Sequence, residues 1–77
     1  MFSEEIAIAQ EFLNKNKHNP IISVIVKEVA AMVDASHSDR WSMVYDTIYE
    51  NFDRSDVPVT AITGLTFLIE EKGESLV

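Results

Sequence analysis

The chain has 77 residues, no cysteine, and 13 acidic against 6 basic residues, for a formal net charge of −7. That length allows one domain with a modest core, and the absence of cysteine excludes disulfide staples, thiolate metal sites and a cysteine nucleophile. Its cations are not clustered, Lys15 and Lys17 being the densest pair, so direct nucleic-acid binding and adhesion to anionic membranes are not expected. An acidic surface instead favours solubility and steering toward basic partners.

The opening residues MFSEEIAIAQEF carry acidic groups where a secretory signal carries positive charge. No stretch reaches the roughly 20 apolar residues of a membrane span. A soluble, cytoplasmic protein is the expectation. Ser3 is placed to cap a first helix, with Glu4 and Glu5 in the turn where the helix dipole favours negative charge. Ile6, Ala9 and Leu13, flanked by Ile8 and Phe12, give that helix an apolar stripe. The polar run 14–19 ends it near Asn16.

Asn19-Pro20 then signals a second start, because Asn caps and Pro suits the first helical position. Residues 19–36 are apolar almost all round. Ile22, Ile25, Val26, Val29, Met32 and Val33 share one face, and Val24, Ala31 and Ala35 make a second. Such a helix is expected to be buried, so this segment reads as the central strut with other helices around it. Its β-branched residues leave a strand at 21–26 as the rival reading.

Ser36 followed by Asp39 resembles a capping box. Trp41, Val44, Tyr45, Ile48 and Phe52 then follow the helical template more cleanly than any other set in the chain, and 53–56 closes the helix as a loop. In the last segment Asp56 is a possible cap, Pro58 sits in the first turn, and Gly73 falls where a helix C-cap belongs. Ala61, Ile62, Leu65, Leu68 and Ile69 share a face. Gly64 at mid-segment would admit a close neighbour, with Ala31 and Ala35 as the natural counterparts, and 74–77 reads as a frayed tail. The whole is an all-α single domain, 1–77, of four helices. An α+β fold with strands at 21–26 and 59–68 is the alternative.

The sequence carries no signature of a catalytic, phosphate-binding or metal site. Two glycines cannot build a phosphate-binding loop, and His18 and His37 lack zinc-site spacing. Neither Asp34 nor Asp53 opens a calcium loop with Gly and Glu in the required places. Asp34, His37 and Asp39 surround one turn, where they read as solvated capping groups. Acyl carrier proteins share this size and acidity, but their Asp-Ser-Leu attachment site has only Glu74-Ser75-Leu76 to match it, and no helix follows there. A DNA-reading helix-turn-helix is disfavoured by the acidity of the third helix. No catalytic residue, cofactor or metal site is expected.

Two features point to binding. Asp39, Asp46, Glu50 and Asp53 are spaced to lie within about 60° on one helical face, opposite Trp41, Ile48 and Phe52. Met43, Tyr49 and Phe67 fall off the core faces. The sequence therefore suggests a non-catalytic interaction module, a regulator or inhibitor that docks through the acidic stripe. Its partner would be a larger protein with a basic surface, a nucleic-acid-binding protein being one candidate. The alternative is a structural subunit that forms homo-oligomers through the apolar trio.

Overall fold

The computed structural model describes residues 2–77 as four α-helices, α1 (Ser3–Asn16), α2 (Pro20–Ala30), α3 (His37–Asn51) and α4 (Val59–Lys72), followed by a turn of 3-10 helix at Gly73–Leu76. The all-α, four-helix class matches the sequence pattern. The β-branched runs at 21–26 and 59–68 are helical, and no strand forms among the described residues. At α2 the reason is local: the Asn19 side chain accepts a hydrogen bond from the Ile21 N–H at 3.0 Å, and Pro20 supplies the first helical position.

The helix at the centre is α4. It packs against α1, α3, α2 and the 3-10 turn. From Val57 to Ile69 the chain carries no charge, so α4 can be surrounded without stranding an ion. It buries Ala61, Ile62, Gly64, Leu65, Thr66, Leu68 and Ile69. Thr66, the one buried polar side chain among the described residues, satisfies itself by donating to the Ile62 carbonyl at 2.8 Å. The apolar segment 19–36, expected to be the strut, contributes Ile22, Ile25, Val26 and Val29 to the core but leaves Val24 at the surface.

That segment is also helical for a shorter span than its pattern suggests. After Ala30 the backbone tightens into i→i+3 bonds, Met32 N–H to Val29 and Ala35 N–H to Met32. The Arg40 guanidinium also donates to the Met32 carbonyl and to that of Val33, at 2.9–3.2 Å. Val33, predicted to face the core, is largely exposed. The cap of α1 also differs from expectation. Phe2 holds that position without a side-chain bond, and Ser3 lies inside the helix.

Gly64 does admit a close neighbour, but it is α1 rather than Ala31 or Ala35. A methyl group built on Gly64 would lie 2.0 Å from the Glu5 carbonyl oxygen and 2.9 Å from the Ala9 Cβ. Gly73 ends α4 with φ +57° and ψ −143°, a region that only glycine enters cheaply. The reversal turns Leu76 back onto the core, so 74–76 form a packed turn where a frayed tail was expected.

A candidate protein-interaction face on α3

The third helix is pinned from its inner side. Ser36 caps it, its Oγ accepting the Asp39 N–H at 3.1 Å. Val44 and Ile48 are fully buried beneath it. Trp41 Nε1 donates to Thr63 Oγ1 at 3.2 Å, and the Tyr49 hydroxyl donates to the Val57 carbonyl at 2.6 Å. These two bonds tie α3 to α4 and to the segment leading into it, which fixes the rotation of α3 about its own axis.

The outer face follows from that rotation. Asp39, Asp46 and Glu50 are exposed, and none lies within ion-pair distance of a cation among the described residues. Met43, four residues after Asp39 and three before Asp46, shares their side of the helix and is 36% exposed. Asp53 does not belong to this set. Phe52 ends the helix in an extended conformation, and beyond it the Asp53 carboxylate accepts the Ser55 N–H at 3.1 Å. That bond, with one from the Ser55 side chain, lowers the Asp53 pKa from its ordinary value. The predicted stripe of four is therefore a helical ridge of three, with the fourth carboxylate turned into a loop.

Beside the ridge runs an aromatic ladder. Trp41, Tyr45 and Tyr49 recur at four-residue spacing, and their rings meet at 5.1 Å, stacked, and 4.8 Å, edge to face. The loop after α3 returns Arg54 over this ladder, with the guanidinium carbon 4.7 Å from the Tyr49 ring centre and 5.3 Å from that of Tyr45. Arg54 Nη1 also donates to the Tyr45 hydroxyl at 2.6 Å. That bond is the main reason that the Arg54 pKa is raised. The Tyr49 pKa is raised first by burial and then by Tyr45, against the opposing pull of Arg54.

The apolar candidates divide. Met43 is on the ridge. Tyr49 is half-buried and bonded to Val57. Phe67 is half-buried between two rings, Phe2 at 4.4 Å and His37 at 4.7 Å.

The sequence reading missed an ionic knot at the other end of α3. Glu70 accepts from Arg40 Nη1 at 3.0 Å and from His37 Nδ1 at 2.8 Å, with Glu70 and Arg40 side chains only 20% and 22% exposed. These residues are 30 and 33 positions apart, and no spacing rule connects them. His37 thus faces Glu70 rather than grouping with Asp34 and Asp39. Among the described residues no cluster of three or more His, Asp or Glu side chains is arranged to hold a metal ion. An open cleft of about 220 Å³ adjoins the knot, lined by Val29, Val33, Arg40, Glu70 and Gly73 among others. No helix among the described residues is long and apolar enough to cross a membrane. Comparison of the chain with known protein families, with curated proteins and with solved structures finds no match.

Proposed function

We propose that this protein is a non-catalytic interaction module, a regulator or inhibitor that docks the outer face of α3 on a basic surface of a larger cytoplasmic protein. The observation that carries the reading is the ridge itself. Three carboxylates without cationic partners among the described residues share one face with an exposed methionine, on a helix whose rotation is fixed by its inner contacts. Like charges at i, i+4, as at Asp46 and Glu50, cost a helix a few tenths of a kcal/mol. A basic partner would turn that cost into attraction and bury Met43 at the centre of the contact. The rival reading, self-association through Met43, Tyr49 and Phe67, has less support, because Tyr49 and Phe67 are already engaged within the chain.

The test is affinity capture from a lysate of the source organism, with the native chain and the Asp46→Lys, Glu50→Lys variant side by side. The expected result is one dominant partner that leaves as salt rises, since exposed charges are screened within about 10 Å at 0.1 M, and that the variant does not retain. The far-ultraviolet dichroism of the variant should stay helical. Equal capture by both chains would refute docking through the ridge. Salt-resistant recovery of the protein's own copies alone would favour the assembly subunit.

A further inference from the structure

The cation seated on the aromatic ladder indicates what chemistry the ladder prefers. Arg54 lies on an exposed loop between two acidic residues, Asp53 and Asp56, in a chain with an excess of seven negative charges. It makes no ion pair with any carboxylate among the described residues. Its guanidinium instead lies over Tyr45 and Tyr49 and bonds a phenol oxygen at 2.6 Å. A planar guanidinium can stack on one ring and hydrogen-bond beside it at the same time, which a lysine ammonium does less well. The loop does not depend on this contact for its shape. Its turn is closed by the Asp56 N–H to the Asp53 carbonyl at 3.0 Å and by the Asp53–Ser55 bond.

Asp46 and Glu50 each follow a tyrosine by one residue, about 100° further round the helix. A basic segment lying on the ridge therefore reaches the tyrosines with its next side chain. We infer that the Tyr45–Tyr49 notch is the seat of an arginine side chain of the docking partner, and that Arg54 occupies this seat in the free protein and leaves when the partner binds. This rests on the docking proposed for the ridge and adds the partner's chemistry to it: an arginine-bearing segment, selected over a lysine-bearing one.

The experiment uses two nine-residue peptides of equal charge, one alternating arginine with glycine and the other lysine with glycine. Binding at low ionic strength is followed by the fluorescence of Trp41, the only tryptophan, whose ring stacks on Tyr45. The native chain should bind the arginine peptide more tightly than the lysine peptide. Removing the internal competitor by Arg54→Ala should tighten the arginine peptide by about three- to sixfold, the factor by which an exposed cation–π contact withholds the seat. Adding Tyr45→Leu should abolish that gain, which separates loss of the competitor from the mere loss of a positive charge. No gain in Arg54→Ala, or the same gain with Tyr45→Leu present, would overturn the arginine seat while leaving the ridge reading untouched. Undiminished binding of both peptides by the Asp46→Lys, Glu50→Lys variant would instead remove the ridge reading, and this inference with it.

Discussion

Replacing Gly64 by alanine should destabilise the fold even though alanine is the better helix former. In an exposed helix the change would stabilise by about 1 kcal/mol. Here the added methyl would stand 2.0 Å from the Glu5 carbonyl oxygen and 2.5 Å from its carbon, and neither is the end of a flexible side chain. To restore ordinary contact at 3.4 Å, the backbone of α1 must retreat by about 1.4 Å. That retreat opens the packing of Ala9 and Phe12, which are buried against α4. Overpacking of this kind costs about 1–3 kcal/mol, and a backbone obstacle belongs at the upper end. Offset by the propensity gain, the net loss is about 2 kcal/mol, out of a total stability of roughly 4–12 kcal/mol for a domain of this size. Thermal unfolding followed at 222 nm should show Tm lower by about 8–16 °C. An unchanged or higher Tm would mean that α1 is not held against α4 at this point, and the placement of the first helix would have to be given up.

Other consequences are measurable with the same material. Arg40→Ala removes the guanidinium donors from the Met32 and Val33 carbonyls and from Glu70, which keeps its bond to His37, for an expected loss of about 2–3 kcal/mol in urea denaturation. Arg40→Lys should recover little of it, because one ammonium cannot span all the acceptors, and full recovery would contradict the clamp. Folding raises the Tyr49 pKa above its ordinary 10.0, so its contribution is intact below pH 10 and is lost as pH rises through the folded value, the unfolded chain ionising first. The native denaturation midpoint should therefore fall more steeply above pH 10 than that of Tyr49→Phe, and parallel curves would refute the assignment.

What the sequence revealed of the fold is what short-range physics decides. Asn19-Pro20, Ser36 and Gly73 mark helix boundaries because caps act within one turn. The inner face of α3 was legible because Val44 and Ile48 recur at helical spacing. The end of α2 was not, since the carbonyls just past its cap are claimed by Arg40, eight residues beyond Met32 and on another helix. The helix that approaches Gly64 is hidden from the sequence for a related reason. A small residue announces a close approach, but which helix approaches depends on the topology, and α1 offers Ala9 just as α2 offers Ala31. Two nearly charge-free segments competed for the centre, and apolarity alone could not rank them. Lys27 and Glu28 keep part of α2 at the surface, whereas α4 has no charge before Glu70.

The candidate site shows the same division at closer range. Helical phase alone places Asp39, Met43, Asp46 and Glu50 together, so the ridge was readable wherever the helix persisted. It failed at Asp53, one residue past the Phe52 cap, where phase has no meaning. The tyrosine ladder lies on the same helix and shares that legibility, but its occupant comes from the loop, and nothing in the spacing of Tyr45, Tyr49 and Arg54 says that the guanidinium turns back. The consequence concerns binding. The inner bonds of Trp41 and Tyr49 hold the ridge in one orientation, so the proposed docking would have little ordering entropy left to lose. Arg54 is held by a hydrogen bond and two ring contacts on an exposed loop whose turn closes without it. On the docking proposed above, the rigid part of the face would set where a partner sits, and the arginine on the ladder would set which side chain that partner must bring.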